Sequence, residues 1–286
     1  MPRCAFLTTD RLDAFVTYDA EAVPHLARLG WSVDDVPWRA EADWDAYDLV
    51  VIRSPWDYQD APGAFLDVLA RIDASGAQLE NPLGVVRWNL RKTYLHDLEA
   101  AGVRIVPTAW GEELTTDRLG ELFTAWDVPE AVVKPIVGAN ADDAFRLGAG
   151  DGWREAVATF AEREHMVQPF VRSVVEEGEF SVFVFGGTVS HAILKTPAAG
   201  DFRVQEEHGG RIRGVVPEAA LLALTEAALS AFPHPDPLLY ARVDAVRMAD
   251  GGFAVMELEL IEPSLYFPYG EGSAARFAEA VATLTG

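Results

Sequence analysis

Cysteine is almost absent from the 286 residues: Cys4 stands alone, which excludes an internal disulfide and suits a reducing compartment. It lies in an apolar, strand-like run, where a small core residue accounts for it better than a nucleophile does. Basic side chains are scarce, with 23 Lys and Arg against 45 Asp and Glu and a net charge of −22. That balance opposes general binding to nucleic acid or to an anionic membrane, although a local basic pocket can still grip phosphate. No apolar run approaches the roughly 20 residues that span a bilayer, and no signal-peptide pattern precedes the first strand. A cytoplasmic protein without nucleic-acid or membrane partners is expected.

Missing motifs exclude further chemistry. The histidines at positions 25, 96, 165, 191, 208 and 234 show no zinc-ligand spacing. There is no Gly-x-Ser-x-Gly elbow for a serine hydrolase and no Gly-x-x-x-x-Gly-Lys-Ser/Thr loop for the common phosphate-cradling fold. The first loop lacks the glycine fingerprint of dinucleotide-binding folds, and no repeat or low-complexity tract is present.

What is present reads as a globular protein: half of the residues are hydrophobic and 24% are charged. The length suits one to three domains. Strand patterns over 3–9, 33–36 and 49–53 alternate with helical patterns over 20–29 and 62–74, predicting a small three-layer α/β domain over residues 1–80. The strand 49–53 runs into Ser54-Pro55-Trp56-Asp57-Tyr58. Ligands of open α/β sheets collect at such carboxyl ends, so Arg53, with Ser54 and Asp57, is a candidate for holding a substrate carboxylate. A plainer reading packs Trp56 and pairs Arg53 with Asp57.

Asn81-Pro82 breaks the chain, and a helix is predicted over 89–101 with Lys92 in its first turn, where anionic phosphates bind well. Helices are expected over 117–126, 153–163, 221–231 and 273–284. Lys134 interrupts an apolar strand over 131–136, where an unpaired ammonium is costly, so an anionic partner is expected. A small-residue loop over 138–148 can close on phosphates through backbone N–H groups or simply join two strands. A strand over 166–171 follows, then a hairpin 179–185/188–195 through Gly186-Gly187, and a polar segment 201–210 that carries Arg203.

The most informative stretch is Tyr240 to Leu265, two β-rich runs meeting at Ala-Asp-Gly-Gly. A turn at Asp250-Gly251 sets Asp244 opposite Glu257, and one at Gly251-Gly252 sets it opposite Glu259. Either way Arg242, Asp244, Glu257 and Glu259 share one face, leaving Val243, Ala245, Arg247, Ala254, Met256, Leu258 and Leu260 on the other. Three carboxylates so close repel one another unless a cation, a proton or water relieves them, and magnesium suits such oxygen donors. A solvated outer face is the alternative.

In their order along the chain these features resemble the ATP-grasp superfamily, in the branch of glutathione synthetase, D-alanine–D-alanine ligase and the ribosomal-protein glutamate ligases. The resemblance implies an α/β (α+β) fold: a pre-ATP-grasp domain over 1–80 and a two-lobed ATP-grasp domain over 81–286, with a lid subdomain about 107–171. It implies ATP and Mg2+ as cofactors. Lys92, Lys134 and Lys195 match phosphate-contacting bases, 138–148 the glycine-rich lid, and Gln168-Pro-Phe170-Val171 the strand that binds adenine through its backbone. Glu179 matches the ribose-binding acid, and Arg203 within Phe-Arg…Gly-Gly a contact to substrate or γ-phosphate. Arg242 and Asp244 match the paired arginine and metal-binding aspartate, and Glu257-x-Glu259 the Glu-x-Asn metal pair, with Glu259 where Asn is usual. Gln205 likewise stands where many relatives have Asn.

Arg-Ser-Pro-Trp-Asp-Tyr, Asn-Pro…Val-Val-Arg-Trp-Asn…Lys and Glu-Leu-Glu-Leu-Ile-Glu-Pro-Ser-Leu look like a narrower branch. It contains the cyclo-ligase that closes O-ureido-D-serine into D-cycloserine. The implied activity is ADP-forming ligation of a small-molecule carboxylate to an amine, within one molecule or between two, in a chain that relatives suggest is a homodimer. An ATP-binding protein without turnover is the other reading.

Overall fold

The computed structural model describes the chain apart from residues 112, 140, 142, 150–152, 232, 233, 235, 285 and 286. Its first sheet is parallel, with β1 (Arg3–Thr8), β2 (Ser32–Pro37), β3 (Leu49–Ser54) and β4 (Gln78–Glu80) in the order β2-β1-β3-β4. Alternation sends apolar side chains to both faces, so both need cover. Cys4, Phe6, Leu49 and Val51 pack against Leu26 of α1 (Val23–Arg28), and Ala5, Leu7, Val50 and Ile52 against Phe65, Leu69 and Ile72 of α2 (Pro62–Asp73). A six-residue α1 is too short to cover its face alone. The last helix of the chain, Ser273–Leu284, returns to complete it with Phe277, Ala278 and Val281.

Where one helix was expected over 89–101, two occur, α3 (Leu83–Asn89) and α4 (Tyr94–Ala100). Lys92 therefore lies in the turn between them, its N–H donating to the Ile136 carbonyl at 2.9 Å, not in a helical first turn. Asn89 at the end of α3 ties this break to β13: its Nδ2 donates to the Leu258 carbonyl at 2.8 Å and its Oδ1 accepts from the Leu260 N–H at 2.9 Å.

An antiparallel sheet follows, β5 (Ala109–Gly111), β6 (Glu130–Pro135), β7 (Phe145–Gly148) and β8 (His165–Pro169), ordered β5-β8-β6-β7. Its Ala131, Val133, Leu147 and Val167 face α5 (Thr116–Trp126) and α6 (Trp153–Thr159), so the intervening Val132, Lys134 and Gln168 point to the opposite side. The 138–148 segment joins β6 to β7 and ends in β7; its residues 140 and 142 lie outside the described ones.

The largest sheet contains β9 (Glu179–Phe185), β10 (Thr188–Thr196), β11 (Arg211–Val215), β12 (Tyr240–Arg247) and β13 (Phe253–Glu259), ordered β11-β10-β9-β12-β13. β11 had no sequence signal, being a half-exposed edge strand with two arginines. The β12–β13 register sets Asp244 opposite Glu257 and Arg242 opposite Glu259. The turn is longer than either two-residue alternative: the Met248 N–H donates to the Gly252 carbonyl across Ala249-Asp250-Gly251, with Gly251 at φ +85°. A bulge between Asp244 and Ala245 restores the opposition, since Ala245 pairs with Val255 and Met256 is the extra residue. Ala254 and Met256 consequently leave the face expected for them and pack with Val246. Arg247 is no core residue either; it pairs with Glu177 and Glu218. The outer edge of β13 is closed by Arg104 and Val106 backbone groups, by Asn89 and by the Tyr94 hydroxyl. Among the described residues no helix is long and apolar enough to cross a membrane.

Candidate active site

Between the β5–β8 sheet and the β9–β13 sheet lies a cavity. The first sheet contributes Val132, Lys134, Gln168 and Phe170, the second Glu179, Lys195, Arg242, Asp244, Glu257 and Glu259, and the α3–α4 turn Lys92. Residues as distant in sequence as Lys134 and Glu259 meet here because each occupies the cavity-facing phase of its strand.

Lys134, expected to need an anion, has one: its Nζ lies 2.8 Å from Glu257 Oε1, and Lys92 Nζ lies 3.3 Å from Oε2 of the same carboxylate. Burial alone would raise Glu257, but the two ammoniums outweigh it and hold the carboxyl well below the usual range. Arg242 grips Asp244 through Nε at 3.1 Å and Nη2 at 3.0 Å and also reaches Glu259. Lys195 Nζ sits 2.5 Å from Glu179 and 3.4 Å from Asp244, and Ser181 donates a hydroxyl to Asp244. Burial opposes charge on Asp244, yet Arg242 and Lys195 keep it lowered, whereas burial raises Glu259 with Asp244 and Glu257 adding to it. Arg242 opposes that rise without cancelling it, so the extra charge of Glu259, where Asn was the usual residue, is only partly offset.

The three carboxylates do not form a closed cage: among the described residues no group of three His, Cys, Asp or Glu is disposed to hold a metal ion. Each faces a cation instead. The donor set fits magnesium in its common mode, on one or two carboxylates with phosphate oxygens completing the octahedron. Glu257 and Glu259, two residues apart on one strand, face Asp244 and Arg242 across the ladder, and each could offer such an oxygen.

Pro169 and Val171 line the cavity with Gln168 and Phe170. The Gln168 amide donates to Thr108 Oγ1 at 2.9 Å, and the Phe170 N–H donates to the Glu130 carbonyl at 2.9 Å, so both groups are already engaged. The Phe170 ring lies 3.8 Å below the Arg146 guanidinium and meets Phe202 edge-on. Arg203 lines the cavity and is held by Asp201, with Nη2 2.8 Å from Oδ2. Gly210 lets this loop fold back, since a Cβ there would stand 2.1 Å from the Val204 carbonyl oxygen.

The substrate contacts expected of Arg53, Ser54 and Asp57 are not what the structure places there: none of the three lines the cavity. Arg53 is fully buried, donating to Asp19 at 3.0 Å and to the Pro263 carbonyl at 2.9 Å, with its guanidinium over Tyr240. Ser54 is buried too, and Asp57 accepts from Trp38 Nε1 at 2.6 Å and from Arg39, so the anticipated Arg53–Asp57 pair does not form. From the same loop Trp56 and Tyr58 face the cavity instead, joined by Glu262 and Tyr266. Aromatic residues at alternate positions after a strand were the available signal; which phase faced inward was not readable.

A family model described as the D-cycloserine synthetase DcsG N-terminal domain matches residues 4–81. The cycloserine biosynthesis protein DcsG of Streptomyces lavendulae is 33% identical over 296 residues, covering 96% of this chain and 97% of that protein. This chain belongs to the DcsG family of ATP-grasp ligases. The crystal structure of D-cycloserine synthetase DcsG matches this DcsG-family chain with a TM-score of 0.87 at 30% identity, covering 99% of this chain and 100% of that one. A further match is the ATP-grasp ligase PsnB complexed with a phosphomimetic variant of its minimal precursor, Mg and ADP. Its TM-score is 0.70 at 16% identity over 99% of this chain and 98% of that one, a likeness of fold. The DcsG-family architecture is the one expected: a small α/β unit ahead of a two-lobed ATP-grasp fold.

Proposed function

We propose that this chain is an ADP-forming ligase that converts a substrate carboxylate to an acyl phosphate with ATP and closes it onto a nitrogen of the same molecule. The substrate is O-ureido-D-serine and the product D-cycloserine, which makes this an enzyme of antibiotic biosynthesis. The observation that supports this reading best is the convergence in one cavity of Lys92, Lys134, Lys195 and Arg242 with Asp244, Glu257 and Glu259. Phosphoryl transfer needs charge compensation and alignment more than covalent help, and this wall supplies both.

The 168–171 strand and the Phe170 ring take the adenine, and Glu179 the ribose. Lys92 and Lys134, held by Glu257 in the free protein, exchange that carboxylate for phosphate oxygens, so the ion pairs keep both ammoniums in place beforehand. One or two of Glu257, Glu259 and Asp244 would hold magnesium, which when bound neutralises charge on the phosphates. Arg203 and Arg242 hold the transferring phosphoryl group or the substrate carboxylate, and Trp56, Tyr58 and Tyr266 shape the remaining space. Gly138, Ala139, Ala141 and Ala144, which line the cavity between β6 and β7, would help to exclude water from the acyl phosphate. An intramolecular nucleophile has a high effective concentration and needs no second substrate site.

The test is ADP and phosphate release from MgATP with O-ureido-D-serine, set beside a panel of amino acids and dipeptides. ADP release with the ureido compound and a cyclic product by mass spectrometry are expected. Release with a different acid–amine pair would discard cyclisation, and MgATP binding without ADP release under any condition would discard turnover.

A further inference from the structure

Beyond the last metal-facing acid, three residues past the end of β13, the cavity wall carries a carboxyl to which the reading above gives no task. Glu262 lines the cavity with Trp56, Tyr58, Ile261 and Ser264. Its backbone carbonyl accepts from Trp56 Nε1 at 2.9 Å, and Tyr58 lines the cavity with it. The loop after β3 thus fixes the backbone of this residue on the wall. Glu257, Glu259 and Glu262 follow one another along a single stretch. Glu262, Trp56 and Tyr58 line the same cavity as Glu257 and Glu259.

We propose that Glu262 is the general base of the second half-reaction, taking the proton from the nitrogen nucleophile as it attacks the acyl phosphate. This rests on the ligase reading above. In the step the N–C bond forms, the C–O bond to phosphate breaks, and inorganic phosphate leaves with the electron pair. The nitrogen's proton passes to Glu262, which returns it to solvent.

Two features suit the role. The Trp56 bond to its backbone carbonyl holds the residue on the cavity wall beside buried Tyr58, and both carboxylate oxygens have lone pairs to accept from a substrate nitrogen. The environment also makes the carboxylate more basic than an exposed one: burial, then Glu259, push it up to about 8, against the opposing pull of Tyr58, Lys92 and Arg242. Among the described residues, those four side chains and Tyr240 act on it from the β3 loop, the α3–α4 turn, β12 and β13.

The experiment compares wild type with Glu262→Gln and Tyr58→Phe, using MgATP and O-ureido-D-serine, or whichever member of the acid–amine panel wild type turns over. Glu262→Gln should bind MgATP as wild type does but lose kcat by about 10²- to 10⁴-fold, the range for a removed general base. Adding hydroxylamine, which attacks acyl phosphates without a base, should restore ADP release and yield the hydroxamate. Tyr58→Phe should lose less. Wild-type kcat in Glu262→Gln overturns the proposal. So does a loss that hydroxylamine does not repair while MgATP still binds, because the first half-reaction has then failed. Silence of wild type across the whole panel removes the ligase reading, and this base with it, a result distinguishable from failure of the variant alone.

Discussion

Glu257 is the residue that decides the electrostatics of the cavity, because it pairs with two half-buried ammoniums at once. Replacing Lys134 by Ala removes one phosphate ligand while leaving Lys92 on Glu257. Turnover should fall by about 10²- to 10³-fold, as when one donor to developing charge is lost, with an unchanged far-UV circular dichroism spectrum. Near-normal turnover would show that the cavity does not handle phosphate. Glu259 is coupled to Arg242, so Glu259→Asn frees the arginine for Asp244 and removes one anionic oxygen. The magnesium concentration giving half-maximal ADP release should rise by roughly tenfold. An unchanged magnesium requirement would assign the ion to Asp244 and Glu257. Lys134 was readable from sequence because a lysine in the middle of an apolar strand demands an anion. The Trp56–Asp57–Tyr58 phase was not, because a loop has no periodicity to assign faces.

At the scale of elements, the β9–β10 hairpin carries Glu179 and Lys195 as directly paired residues. Its entry depends on Gly178, at φ +128°, where a Cβ would stand 2.6 Å from the Lys195 carbonyl oxygen. Gly178→Ala should destabilise the protein by on the order of 2 kcal/mol in urea unfolding and weaken MgATP binding by shifting both side chains. Wild-type stability would mean the hairpin relaxes freely. On the same hairpin, His191 stacks on Phe183 at 4.2 Å and its Nε2 meets the Leu265 carbonyl at 3.0 Å. Burial, with Arg276 adding to it, lowers the imidazole from 6.5 to about 4, so the fold holds it neutral. The unfolded chain binds the extra proton between those values, so stability is complete above pH 6.5 and is lost as pH falls toward 4, by up to about 3 kcal/mol. Urea midpoints of His191→Gln should change less across that window than those of wild type, even if the variant is weaker at pH 7. A parallel pH profile would place the acid sensitivity elsewhere. These hairpins were legible in the sequence because Gly-Gly turns separate alternating runs. The three-residue turn and the bulge at Met256 were not, because their two register shifts cancel at Asp244.

At the scale of the whole molecule, the first sheet is tied to the rest by a few buried polar groups. Arg53 joins Asp19 to the Pro263 carbonyl, Asn81 Nδ2 donates to the Tyr240 and Leu260 carbonyls, and the Tyr240 hydroxyl reaches the Ile52 and Ile261 carbonyls. Arg53→Met should cost about 3–5 kcal/mol, because Asp19 is left buried without its cation, and should lower the urea midpoint without altering MgATP affinity at low denaturant. A raised KM for the carboxylate substrate with unchanged stability would return Arg53 to the substrate site. These ties also set the cavity wall, since the segment Arg53 clamps at Pro263, residues 260–266, is the one that presents Glu262 and Tyr266.

By itself the sequence determined the alternation of strands and helices, the shared face of Arg242, Asp244, Glu257 and Glu259, and the need of Lys134 for an anion. Each of these follows from local periodicity or from the cost of an unpaired charge in an apolar strand. Only the tertiary structure decided that Ser273–Leu284 roofs the first sheet, that Arg53 is a clamp while Trp56 and Tyr58 face inward, and that Lys92 sits between two helices over Glu257. Those outcomes depend on which apolar face finds cover and which carboxylate a cation meets across more than 150 residues of chain, as from Lys92 to Glu257. Local pattern carries no record of that choice, because packing and charge pairing are settled only when the distant partners arrive.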